Sequence, residues 1–314
     1  MRPLLVVSAL AVLAGAGAVR ARPHGHHPPP WLSGARAGPG EAEVRAWLEV
    51  LRGGDPRLCS VAVDRLAQGG WEGRRRRLAG EDAPPALGHG SVTEPAALEL
   101  LGEALADPRP CVRRAAALWL GDSSAPDAVA RLARAAASAS PLAREAAALG
   151  LGVHGEGAGR EALVTALGDP VPAVAGAAAW ALGRAEDPRN TPALKAALQH
   201  ADPGVRRAAA EALGASGDTA ALEPLLALRQ DLDTPVRAAV ASALGTLEDP
   251  RAVPALLGLA RDRAPEVRVA AVEALGDLEG LGSAPAEAHA ALRAALADGD
   301  PAVRRAAARG LGRN

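Results

Sequence analysis

Apolar residues recur along most of this chain at helical spacing. One run falls at Val205, Ala208, Ala209, Ala212 and Leu213. The same slots hold Val236, Ala239, Val240, Ala243 and Leu244, then Val267, Ala270, Ala271, Ala274 and Leu275. Steps of three and four place all five on one stripe of an amphipathic α-helix. Proline stands near the start of each run, where its missing N–H has no intrahelical partner to lose. Asp202, Asp300 and Ser140 precede it as predicted N-caps. Asp233 holds that slot in a repeat whose proline moves to Pro235. The Gly of Ala-Leu-Gly is expected to end each helix as a C-cap. A partner helix precedes each run, as in Ala193, Leu194, Ala197 and Leu198.

These runs keep one period. Gly121, Gly152, Gly183, Gly214, Gly245 and Gly276 stand 31 residues apart, as do Leu101, Leu132, Leu163, Leu194, Leu225 and Leu256. Pro110, Pro141, Pro172 and Pro203 keep the same spacing, resuming at Pro265. Beyond Gly276 the step lengthens to 36, from Gly276 to Gly312, so five residues are inserted near Gly280 to Pro285. A fixed period of this length marks an array of helix pairs, each burying its apolar stripe against its neighbours. The predicted fold class is all-α: an α-solenoid of about eight pairs over 41–314, starting near Glu41, Glu94, Ala125, Gly157, Pro188, Thr219, Pro250 and Pro285. The first pair is degenerate, running through Trp47 and Leu51 and then Cys59, Ala62, Val63, Leu66 and Ala67. An insert at about 70–93 separates it from the second. Leu225, inside an unbroken ladder, is expected to be fully buried.

Composition agrees with close helix packing. The 314 residues are 49% hydrophobic but contain neither Phe nor Tyr, so Ala, Leu and Val supply the core. Small side chains suit helices that approach closely better than one large globular core. A net charge of −1 gives no bulk attraction to nucleic acid or to a membrane. Arg2, the apolar run Leu4 to Leu13 and the small residues that follow read as a signal peptide over 1–21. A Pro/His-rich linker over 22–40 comes next. The expected location is secreted or periplasmic, with no membrane span once the signal is cleaved. A retained anchor is the competing reading.

The string Asp-Pro-x-Val-Arg-x-Ala-Ala-x-x-Ala-Leu-Gly, nearly intact from Asp202 to Gly214, resembles the short HEAT-like repeats found in bilin lyases. The resemblance covers roughly residues 41–314. It implies a rigid scaffold whose second helices line a concave face that takes a protein or peptide partner. The alternative it implies is an accessory or lyase-like protein acting on a tetrapyrrole-type ligand. Ankyrin and tetratricopeptide repeats have nearby periods, but the ankyrin Thr-Pro-Leu-His signature is missing and the tetratricopeptide tyrosine cannot exist here.

No catalytic residue, metal site or cofactor is predicted. HEAT-like hydroxylases use adjacent His-Glu pairs, and no His in this chain is followed by Glu. His24, His26 and His27 are weighed as copper or zinc ligands against a solvated tail, and the tail is favoured. Arg74 to Arg77 form one dense basic run, read as solvated rather than as a dock for an anionic partner. Arg113, Arg144, Arg206, Arg237, Arg268 and Arg304 follow the first core slot. They read as structural groups held at the turn between helices, with Asp202, Asp233 and Asp300 close by, rather than as a phosphate-gripping ladder. Cys59 and Cys111 could pair in an oxidising compartment. Helix axes ~8–10 Å apart exceed the ~6.8 Å reach of a disulfide's Cα atoms, so pairing requires local compression.

The candidate partner site lies six residues after the first core slot of the second helices. Down the array this slot holds Leu118, Leu149, Trp180, Glu211, Ser242, Glu273 and Arg309. The first three are apolar and one repeat apart. Ala175 and Gly176 replace the usual Arg-containing pair beside Trp180, which clears room next to the indole, and Arg144, Arg206 and Arg207 surround it. The competing reading is that these side chains simply pack on neighbouring helices. On the site reading Trp180 is partly exposed while Trp119 is buried. The chain is expected to act as a monomer.

Overall fold

The computed structural model describes residues 38–54, 91–155, 157, 159–185, 187–280 and 286–312. Among the described residues it is entirely helical. The first helices of the pairs are α1 (Glu41–Arg52), α2 (Pro95–Ala104), α4 (Pro126–Ala136), α6 (Arg160–Ala166), α8 (Thr191–Ala197), α10 (Leu222–Ala227), α12 (Val253–Leu259) and α14 (Ala286–Ala295). The second helices are α3 (Pro110–Gly121), α5 (Pro141–His154), α7 (Pro172–Arg184), α9 (Pro203–Ala215), α11 (Thr234–Thr246), α13 (Pro265–Gly280) and α15 (Pro301–Leu311). The predicted solenoid is therefore observed, and every expected pair start falls at or within a few residues of a first helix or the 3₁₀ turn leading into it. The signal, the linker, Cys59 and most of the insert lie outside the described residues, as do His24, His26, His27 and Arg74 to Arg77.

Each second helix packs on the next, α3 on α5, α5 on α7 and so on to α15, while the first helices lean mainly on their own partners. Leu225 is fully buried, as are Leu101, Leu132, Leu194 and Leu256 of the same ladder. Ser140, Asp202 and Asp300 accept backbone N–H bonds as N-caps. Asp233 occupies the N-cap position of α11 but makes no capping bond with its side chain.

The glycine ladder has a different role from the one its position suggests. Gly152, Gly183, Gly214, Gly245 and Gly276 lie inside their helices, and Gly121 is the last residue of α3, so none is the C-cap. They are where second helices touch. A methyl group at Gly183 or Gly214 would stand 2.6 Å from the Cα of Ala212 or Ala243 on the next second helix. At Gly276 it would stand 2.7 Å from the Gly310 Cα. Backbone this close leaves no space for any side chain, and the alanines opposite are the smallest that can be chiral. A glycine with positive φ does end α5, Gly155 at φ 71° and ψ −142°, a conformation outside the left-handed helical well.

Candidate functional site

Four of the six ladder arginines build joints between repeats, while Arg113 and Arg304 bond only the carbonyls of their own turns. Arg144 donates from Nη1 to the carbonyls of Ser138 and Ala139 in its own turn. Its other edge grips Asp169 of the following repeat at 2.6 and 3.0 Å. Arg206 repeats this with the His200 and Ala201 carbonyls and with Asp231 at 2.8 and 3.0 Å. Arg237 grips Asp262, and Arg268 grips Asp298, in the same two-bonded manner. Two parallel N–H···O bonds to an ionised carboxylate are strong and directional, so each rung fixes the register of successive pairs. The acids are not Asp202, Asp233 and Asp300, as the sequence suggested, but the aspartates that open the next repeat's turn. Each of these also accepts a backbone N–H two residues on, from Val171, Asp233, Ala264 and Asp300 respectively.

The guanidinium of Arg144 holds the Asp169 carboxyl below the ordinary aspartate range, as Arg237 does for Asp262 and Arg268 for Asp298. Burial pushes Asp231 up, but Arg206 and the Asp233 N–H outweigh it and the net direction is down. Two joints lack the rung. Arg113 keeps the two carbonyl bonds of its own turn, but Ser138 stands where the next acid would be. At the α7–α9 joint Ala175 replaces the arginine and His200 replaces the aspartate. His200 Nδ1 still accepts the Asp202 N–H at 3.0 Å, so the turn survives without the ion pair.

Leu118, Leu149 and Trp180 are partly exposed in equivalent positions on α3, α5 and α7, while Trp119 is 5% exposed and belongs to the core. The indole of Trp180 lies against α5, where a methyl group at Gly152 would come within 2.7 Å of its Cζ3. The Arg184 guanidinium sits 5.3 Å from the ring centroid and donates from Nε to the Gly152 carbonyl. Nothing lies within 4 Å of a methyl group placed at Gly176, so the surface beside the indole is open.

Three expected members of the patch are placed differently. Ala175 is 0% exposed and cannot line a surface. Arg144 and Arg206 are committed to their rungs and have no free edge to offer a partner. Arg207 lies on the same face as the stripe but is paired with Glu211 of its own helix at 3.1 Å. Sequence reasoning missed Arg184, although its position one turn after Trp180 on the same helix is the spacing that brings two side chains together. Arg114, Glu145 and Arg184 share this face and form no ion pair among the described residues.

Cys111, at the start of α3, is disulfide-bonded. Among the described residues no cluster of His, Cys, Asp and Glu has the arrangement of a metal site, and no helix is long and apolar enough to cross a membrane.

The HEAT repeat family model matches residues 86–152, 160–231 and 225–312, well over half of the chain. The chain belongs to the HEAT repeat family. Among solved structures it is similar to the CpcE–CpcF complex of phycocyanin lyase from Nostoc, at 27% identity and a TM-score of 0.47 over 59% of this chain and 76% of that one. Human deoxyhypusine hydroxylase matches at 22% identity and a TM-score of 0.32, over 69% and 95%. Kap121p bound to Ste12p matches at 14% identity and a TM-score of 0.55, over 69% of this chain and 28% of that one, a likeness of fold alone. No curated protein sequence matches.

Proposed function

We propose that this chain is a non-enzymatic, monomeric scaffold that holds a protein or peptide partner on its second-helix face. The observation that carries this reading is the in-register row of Leu118, Leu149 and Trp180, partly exposed where the other repeats present Glu211, Ser242, Glu273 and Arg309. Partly exposed large apolar groups that line up across a rigid surface, with an aromatic anchor among them, fit the anatomy of a binding patch. A secreted or periplasmic location fits the charged and apolar N-terminal pattern and the disulfide at Cys111.

The test is capture from the exported fraction by immobilised protein, comparing the parent chain with Leu149→Ala/Trp180→Ala. The parent should retain a defined polypeptide that the double variant loses. Retention of a visible-absorbing small molecule and no polypeptide would overturn the scaffold reading in favour of action on a tetrapyrrole-type ligand. Intact-mass analysis of native material addresses location, since retention of Met1 to Val19 would contradict cleavage.

A further inference from the structure

Resting on that reading, we infer that the occupant of the second-helix face is an amphipathic α-helix lying across α3, α5 and α7, with apolar residues recurring about every seven positions. Three properties of the surface select it. The first is spacing. Leu118, Leu149 and Trp180 sit on successive packed helices, whose axes stand ~8–10 Å apart. At ~1.5 Å per residue an α-helix covers that distance in about five to seven residues, so residues seven apart, ~10.5 Å along its axis, return to the same side near the upper end of that interval. A β-strand covers it in about three residues, but its side chains alternate, and every second anchor would face away.

The second property is the chemistry of the floor. The slots around the stripe carry Arg114, Asp122, Glu145 and Arg184 but no Asn or Gln. A bound extended chain, including polyproline II, brings backbone N–H and C=O groups that need partners once water is excluded. Amide side chains able to serve both groups are missing from this surface. A helix arrives with its backbone bonds already made and asks only for side-chain contact.

The third property is charge. Arg114 on α3 and Glu145 on α5 flank the stripe on one side, and Arg184 on α7 flanks it on the other. All three lack an ion pair among the described residues. They fit a helix that carries a carboxylate followed by a cation on one flank and a carboxylate at the far end of the opposite flank. Reversing the helix exchanges the two carboxylates between Arg114 and Arg184 and only moves the cation away from Glu145, so the pattern selects a charged flank and favours one direction by that single contact.

The test uses the full chain and a labelled synthetic peptide of about three heptads. Leucine occupies every seventh position, and the flanking charges are placed as above. Fluorescence anisotropy should report saturable binding that Trp180→Ala weakens by about tenfold or more. Moving each leucine by two positions, or placing one proline mid-peptide, should weaken it comparably. Equal binding of the proline peptide would overturn the helix while leaving the face a peptide-binding surface. Absence of binding by every peptide would overturn the inference, and the capture experiment then decides separately whether the face binds anything.

Discussion

The α7–α9 joint and the α11–α13 joint are built from one repeat, yet they answer different demands. At α11–α13, Arg237 locks onto Asp262, and the slot facing away from the core holds Ser242 and Glu273. At α7–α9 the rung has vanished from both sides at once, with Ala175 for the arginine and His200 for the aspartate. The row of apolar side chains on the second-helix face ends there, at Trp180. What both joints keep is the glycine–alanine contact, Gly183 on Ala212 and Gly245 on Ala274. Close approach of the second helices is therefore the feature that neither joint does without, whereas the ion pair and the outward slots are free to vary.

That ranking can be broken by mutation, beginning with the core. Leu225→Ala removes a fully buried side chain and should cost ~2–5 kcal/mol in chemical denaturation. A loss below ~0.5 kcal/mol, the scale of surface changes, would mean that the ladder does not face the core. Next comes the rung. Arg237 is 5% exposed, and Arg237→Ala strands the Asp262 carboxylate with only the Ala264 N–H. Removing one member of a buried pair costs about 3 kcal/mol or more. At the α7–α9 joint the arginine and the acid are both replaced, by Ala175 and His200, and adding Asp262→Asn should likewise recover part of the loss. A double variant no better than the single one would show that the rung is not acting as a pair.

The rungs also fix the response to acid. Asp169, Asp231, Asp262 and Asp298 have folded pKa values below those of an unfolded chain. As pH falls, the unfolded state takes up protons first. The stabilisation is complete above about pH 4, the unfolded aspartate range, and is lost as pH falls through the lower folded values. Thermal melts from neutral pH downward should hold nearly level and then drop below about pH 4. The drop should be shallower for Arg237→Ala.

A smaller effect separates the two roles of glycine. Gly183→Ala places a methyl group 2.6 Å from the Ala212 Cα, and overpacking of this kind costs ~1–3 kcal/mol. Gly258, in α12, has nothing within 4 Å of the added carbon, so Gly258→Ala should instead stabilise by up to about 1 kcal/mol. If Gly183→Ala also stabilised, the ladder would not mark a close approach.

These contrasts show how much of the molecule could be read in advance. Period and stripe gave the helix pairs, because a strict repeat forces equivalent residues into equivalent burial, as Leu225 and Val205 show. The purpose of the glycines was not legible. A Gly near the end of an apolar run reads as a cap, and only the neighbouring helix reveals what it excludes. The acids of the rungs were missed for a similar reason: each lies 25 to 30 residues beyond its arginine, in the next repeat, while Asp202, which caps α9, and Asp233 stand closer in sequence. The Leu118, Leu149 and Trp180 row was legible as a departure from a repeated polar slot. Its arginine neighbours were not, since a guanidinium has many partners within reach along a repeat.

The last contrast is between stability and binding at one residue. Trp180 spreads its ring over Gly152 and under Arg184, so its removal takes away some packing and one cation–π contact of about 0.5–1 kcal/mol. The ring is partly exposed and packs on the core from its edge, and the Gly–Ala approach of Gly152 to Ala181 does not depend on it. Trp180→Ala should therefore lower the melting temperature by only about 2–4 °C, the shift expected for about 1 kcal/mol in a domain of some 150–250 residues. Trp119→Ala, two repeat steps and one residue away in register, empties a core position and should cost ~3–5 kcal/mol. The pair makes the discrimination sharp: at Trp119 stability falls, while at Trp180 partner capture falls with stability nearly intact. A loss at Trp180 as large as at Trp119 would place the indole in the core and leave the second-helix face without its anchor.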